Sequence, residues 1–215
     1  MVSLDDPAYP PRLKEIYDPP PILRVRGNAE VLTKSGIAMV GTPHPTPYGL
    51  GMAERMACDL AAQGLAMISG MARGIDTASH RGAISAKGKT VAVFGTGVDV
   101  IYPRENSRLA EQILALGGAL ISEFPLGTFA APQKSATGSL AAWRSAFSWS
   151  KPRNIPARAS PRAAHWNRIA TFSPFPANVR NKNSWGPNTL IKQGAKRWQP
   201  GKTCGNISRQ KYDLH

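Results

Sequence analysis

Between Gly36 and Glu123 the chain repeats one pattern: a short apolar run, a glycine-bearing turn, then an amphipathic stretch. The segments "GIAMVG", "LAMISG", "TVAVFGTG" and "GALISE" have the length and apolar content of buried strands. Thr46 followed by Pro47 offers an N-cap with proline at the first helical position; Met52, Met56 and Leu60 recur every four residues, and Gly64 stops that helix. Asp76 is placed to cap a second helix through "IDTASHRGAISAKG", and Asn106 a third whose Leu109, Ile113 and Leu116 face inward. Strands that alternate with helices need a parallel sheet with helices on its faces. The pattern therefore predicts an α/β fold, a Rossmann-like doubly wound parallel sheet.

In such sheets ligands bind beyond the carboxyl ends of the strands. Three of those ends carry glycine: Gly41-Thr42, Gly70 through Gly74 in "SGMARGID", and Gly95-Thr96-Gly97. Glycine lets backbone N–H groups come close to an anion, and a helix N-terminus adds a favourable dipole. Arg73, between two of these glycines, is placed as a charged clamp. One glycine turn is most simply tight-turn geometry; three on one edge predict an anion or phosphate site formed by Gly41, Thr42, Gly70, Arg73, Gly74, Gly95 and Gly97. The sequence contains no acid pair, nucleophile elbow or metal cluster, so binding is expected ahead of catalysis, with no cofactor or metal. His80 follows Asp76 by one helical turn, which predicts a structural or supporting hydrogen bond between them ahead of the alternative, a catalytic dyad. His44 has nothing paired to it.

The 215 residues suffice for one domain or somewhat more. No apolar run approaches the ~20 residues that span a bilayer, and no secretory signal opens the chain, so a cytoplasmic location and no membrane partner are expected. Cys58 and Cys204 lack metal-ligand spacing and predict no disulfide framework. The net charge of +14 suggests nucleic acid, but its location matters. Residues 1–123 hold 12 basic and 12 acidic side chains, whereas residues 124–215 hold 15 basic and one acidic, Asp213.

The motifs "YPPRLKEIYDPPPILRVRGN", "VGTPHPTPYG", "SGMARGIDTASHRGA", "GKTVAVFGTGVDVIYPREN" and "LISEFPLG", with "NKNSWGPNTLIKQGAK" at residues 181–196, resemble the DNA-processing protein A (DprA/Smf) family. "SGMARGIDTASH" followed by "GTGVDVIYP" is specific to it. The resemblance implies a Rossmann-like, non-enzymatic protein that binds and protects single-stranded DNA, forms a homodimer, and loads a RecA-type recombinase during natural transformation. It places the DNA pocket at the Gly41-Thr42 loop and at Arg73-Gly74. One departure stands out. The family usually has Arg after "VGT" or "VGS", where this chain has Pro43, with neither charge nor donor. The family's helical N-terminal module and C-terminal winged-helix module are not in this sequence.

Residues 134–179 contain no Asp or Glu and mix Trp, Pro, Ser and Arg without period. There the family continues with a stretch like "NFPIRNRIISG" and a strand "VLVVEA". Back-translated residues 134–143, "KSATGSLAAW", can be read from the third base of each codon as I-R-N-R-I-I-S-G-M, the absent motif. The same offset yields the strand, an "SGT" turn and a helix, until the written frame resumes at Asn178; it fails again after Lys196. The expected organisation is a linker at 1–30, the first half of the Rossmann-like domain at 31–133, an out-of-frame segment at 134–177, an in-frame motif at 178–196, and an out-of-frame tail at 197–215. The second half of the sheet is then disrupted, and the basic excess follows from the frame. The alternative for that half is a basic tail that grips phosphates nonspecifically.

A reading of another class is a nucleotide-binding enzyme of the phosphoribohydrolase (lysine-decarboxylase-like) type, which has a similar core. It requires a "PGGxGT" loop with a following Glu, which neither frame supplies. A generic dinucleotide-binding domain would require GxGxxG after the first strand, also lacking.

Overall fold

The computed structural model describes residues 1–15, 19–129 and 147–148. The chain opens with β1 (Val2–Ser3), the single turn α1 (Pro11–Lys14) and β2 (Ile22–Gly27), followed by a 3₁₀ turn at Ala29–Thr33. Then come β3 (Gly36–Val40), α2 (Pro47–Ala62), β4 (Ala66–Ser69), α3 (Ile75–Ser85), β5 (Thr90–Phe94), α4 (Ser107–Ala115) and β6 (Ala119–Ser122). A two-residue strand, β7 (Phe147–Ser148), pairs with Met39 and Val40 of β3.

The sheet order is β1-β2-β6-β5-β4-β3-β7, with β3 to β7 parallel and β2 antiparallel to both of its neighbours, β1 and β6. From β3 to β6 each strand is laid down on the same side of the last, joined by crossover helices that reach the next strand in the right-handed sense. Hence α2, α3 and α4 share one face. There α2 and α3 pack on Ile37, Met39 and Met67, and α4 packs on Ala92, Phe94 and Leu120. The opposite face, built from Ala38, Ile68, Val91, Val93 and Ile121, is covered by Tyr9, Leu13, Leu23, Val31 and Leu32 of the N-terminal segment. Each such fully buried large side chain is worth about 1.5–3 kcal/mol relative to exposure. The strand order reverses between β3 and β7, so the sheet has the switch point that defines a doubly wound, Rossmann-like fold.

The helix signals are largely realised. Thr46 Oγ1 accepts from the Gly49 amide (3.1 Å) with Pro47 in the first turn of α2, and Gly64 follows that helix at φ +83°. Two expected caps are not formed. Gly74 holds the N-cap of α3, with Asp76 inside its first turn. Asn106 occupies the N-cap of α4 but makes no cap bond, because its amide is used elsewhere. The boundaries read at 134, 177 and 196, and the disruption inferred from them, lie outside the described residues, apart from β7.

Candidate nucleic-acid interface

The C-terminal ends of β3, β4 and β5 bring the three glycine turns to one edge of the sheet, as the sequence pattern predicts. Gly41-Thr42 lies at the switch point between β3 and β7, where open α/β sheets place their ligand crevice. Gly74, at φ +77°, sits against the Thr42 and Pro43 carbonyls and the Pro45 ring, so a Cβ there has no room. The Ile75 amide donates to the Thr42 carbonyl at 3.3 Å. The first two turns thus form one unit.

The Gly70–Gly74 turn is held in an unfavourable conformation. Met71 is fully buried at φ +61°, a region that costs a non-glycine residue on the order of 1 kcal/mol. Three ties hold it there. Asn106 Nδ2 donates to the Met71 carbonyl (2.8 Å) and to Thr77 Oγ1 (3.0 Å); Thr77 Oγ1 donates to the Ala72 carbonyl (2.7 Å). The third tie is Asp76, which lies inside the edge.

Asp76 is buried, and its carboxyl faces the amides of Gly41, Ala72 and Gly70 and the Ser69 hydroxyl. Burial pushes its pKa up to about 7, against the pull of those donors. Its Oδ1 has no hydrogen-bond partner. Ser69 gives its single proton to the Met39 carbonyl (2.6 Å), so only a lone pair remains for Asp76, an arrangement suited to a protonated carboxyl. The amides of Gly41 and Gly70, read from the sequence as donors to an external anion, face this internal group instead.

The expected bond between Asp76 and His80 is absent, because His80 has a better partner across the core. Thr90 Oγ1 donates to the Met67 carbonyl (2.8 Å), so it must accept from His80 Nδ1 (2.7 Å). This fixes the proton on Nδ1 and leaves Nε2 as a buried lone pair without a partner. Burial lowers the His80 pKa to about 3, and the ring is neutral.

The third turn already uses one of its amides within the chain. The Gly97 amide donates to the Thr128 carbonyl (2.9 Å), and Asp99 accepts from the Gly127 amide (2.9 and 3.1 Å). Ser122 Oγ donates to the Thr96 carbonyl (2.5 Å). Gly97 therefore offers the neighbouring loop at residues 125–128 a close approach, against the Pro125 carbonyl and the Gly127 amide.

Arg73 projects from the edge into an open groove of ≈ 310 Å³ lined by Leu50, Glu54, Thr77, Arg81 and Glu105 among others. It is not unpaired. Its Nε and Nη2 donate to both oxygens of Glu105 (2.7 and 2.9 Å), a two-pronged exposed pair that raises the Arg73 pKa and lowers that of Glu105. Tyr102, 62 % exposed, lies close enough to Arg73 to add to the same shift. Phe129, 75 % exposed, follows the 125–128 loop. Pro43 and His44 are exposed, with the His44 amide on Thr42 Oγ1 (3.2 Å).

Glu105, Tyr102 and the tie made by Asn106 were not legible as parts of this edge, since all three come from the loop before α4, about thirty residues beyond Arg73. Among the described residues no His, Cys, Asp and Glu cluster could hold a metal ion, and no helix is long and apolar enough to cross a membrane. Cys58 is a half-buried free thiol, and Cys204 lies outside the described residues.

Residues 1–137 match the family model for DNA recombination-mediator protein A. Protein Smf of Escherichia coli K12 is 33% identical over 205 residues, 91% of this chain and 53% of that protein. The chain spans about a third to a half of the length of the curated relatives it matches. The structure of DNA processing protein A from Streptococcus pneumoniae aligns with a TM-score of 0.79 at 31% identity, covering 99% of this chain and 74% of that one. DNA processing protein A from Helicobacter pylori, whose structure concerns its single-stranded DNA binding mode, aligns at 0.72 with 22% identity, covering 92% and 90%, and shares the fold.

Proposed function

Because the chain belongs to the DNA recombination-mediator protein A family, we propose that it binds single-stranded DNA along the C-terminal ends of β3 and β4. The observation that carries this reading is the Gly70–Gly74 turn. It holds a left-handed, buried Met71 by three separate ties and presents Arg73 beside the Thr42 loop at the switch point. Backbone strain that the surrounding structure over-determines clusters at functional sites. In this reading Arg73 and the Thr42 hydroxyl meet phosphates. Gly41, Gly70 and Gly74 set the backbone that positions them, and Gly95 and Gly97 shape the adjoining wall. Tyr102 and Phe129 offer exposed rings on which bases stack. Pro43 removes one cation from the edge. We assign no catalytic step. By family, the role extends to protecting incoming single strands, homodimerisation and loading of a RecA-type recombinase in natural transformation.

A second feature concerns the remainder of the chain. The family match ends at residue 137, beside the point where the frame is inferred to change. We infer that residues 134–177 and 197–215 are translated out of frame, flanking the in-frame motif at 178–196, and that the chain as written binds DNA more weakly than its in-frame form. Fluorescence anisotropy with a labelled oligothymidylate, run on both forms across a salt series, tests both statements. The expected result is binding that weakens with salt in each, roughly tenfold or more tighter in the restored form. A flat salt titration of the restored form would count against the phosphate reading, and equal affinities against the frame reading.

A further inference from the structure

The Arg73–Glu105 pair has a consequence for binding at this edge, and it rests on the reading that Arg73 meets phosphate. Glu105 offers Arg73 two carboxylate oxygens at 2.7 and 2.9 Å, the fork geometry that a phosphate would otherwise use. Both side chains are more than half exposed, so neither is locked by packing. Glu105 belongs to a 3₁₀ turn (Arg104–Asn106) whose Asn106 is tied to the Met71 carbonyl. The carboxylate is thereby anchored next to the turn that carries Arg73, whatever ligand is bound. A phosphate that takes the same Nε–Nη2 fork of Arg73 must displace Glu105, and one that uses the remaining Nη1 edge still meets its negative charge within the same groove.

We propose that Glu105 is an intramolecular competitor for Arg73, a stand-in for phosphate that sets the affinity threshold and salt response of the edge. Exposed pairs of this kind are weak, so the competition is a bias and not a block. A ligand that brings a row of phosphates overcomes it through its other contacts. A single free phosphate does not. The pair therefore selects for polymeric over monomeric anions.

The test is a double-mutant cycle in the full chain, read by anisotropy of a labelled oligothymidylate from low to moderate salt. Glu105→Gln keeps the side-chain length and one acceptor but removes the charge. The expected result is about two- to fivefold tighter binding, of the size that exposed pairs can supply, with a log–log salt slope steeper by about 0.7, as for one more phosphate neutralised. Arg73→Ala should weaken binding, and Glu105→Gln on that background should gain much less than in the parent. A second readout is the Arg73 Nε–H resonance, whose shift on adding inorganic phosphate should reach its midpoint at about two- to fivefold lower phosphate in Glu105→Gln than in the parent. If Arg73→Ala binds as the parent does, the phosphate reading fails and this inference falls with it. If Arg73→Ala weakens binding but Glu105→Gln leaves it unchanged, the competition alone is refuted. If Glu105→Gln weakens binding as much as Arg73→Ala, Glu105 is a brace that positions Arg73, and the competition is again overturned.

Discussion

Asp76→Asn and His80→Gln separate two titrations that oppose each other one helical turn apart in α3. Asp76 has its pKa raised by burial from 3.8 to about 7. The folded chain therefore keeps a proton that the unfolded chain releases, and stability from this group is full below pH 3.8 and lost as pH rises through about 7. At about 1.4 kcal/mol per unit, the loss over this window is about 4 kcal/mol. His80 has its pKa lowered by burial from 6.5 to about 3. Here the unfolded chain takes up the proton that the folded chain refuses. Stability from His80 is full above pH 6.5 and lost as pH falls through about 3, about 5 kcal/mol in all. Between pH 4 and 6.5 the two slopes cancel, and the parent chain should gain or lose little from the pair. Urea denaturation followed by circular dichroism at half-unit steps from pH 4 to 7 measures this. The difference between parent and variant removes every titration they share. Asp76→Asn should gain several kcal/mol in stability on going from pH 4 to 6.5, relative to the parent. His80→Gln, whose amide can still donate to Thr90, should lose stability over the same range. Variant and parent curves that run parallel would refute the reasoning.

Further expectations follow from single residues. Pro43→Arg restores a cation on the exposed Thr42 loop and should tighten oligothymidylate binding and steepen its salt slope by about 0.7, measured by anisotropy. Gly74→Ala forces a side chain into φ +77° and into the Thr42 and Pro43 carbonyls; it should cost about 2 kcal/mol or more of stability and weaken DNA binding together. Gly82→Ala drives a methyl into the Glu54 carbonyl where α2 and α3 touch, and should destabilise by about 1–3 kcal/mol in urea melts. Thr46→Ala removes the Gly49 cap and should cost about 1 kcal/mol.

The strands and helices from Gly36 to Glu123 were legible because each is local. Apolar runs of four to five residues, the Thr46-Pro47 start and the Gly64 stop all act within one or two turns of chain. The position of the three glycine turns on one edge followed from parallel pairing alone. What the residues at those turns do was not local. Asp76 read as a cap and as a partner for His80, whereas tertiary packing buries it among the Gly41, Gly70 and Ala72 amides. Asn106 read as a cap, but the strained Met71 carbonyl lies within reach and claims its amide. Arg73 read as a charged clamp, and its pairing with Glu105 was not visible because that residue is 32 positions away in sequence. Pairings of this kind depend on which loops the sheet brings side by side, and no periodicity records them.

The most direct test of the central claim is ultraviolet crosslinking of an oligothymidylate to the full chain, with the attached peptides mapped by mass spectrometry. A site at the strand ends predicts crosslinks within residues 41–50, 70–74 and around Tyr102 and Phe129, reduced by salt and by Arg73→Ala. Crosslinks confined to the basic region beyond residue 130 would contradict it and assign the DNA affinity to the net charge of that half of the chain.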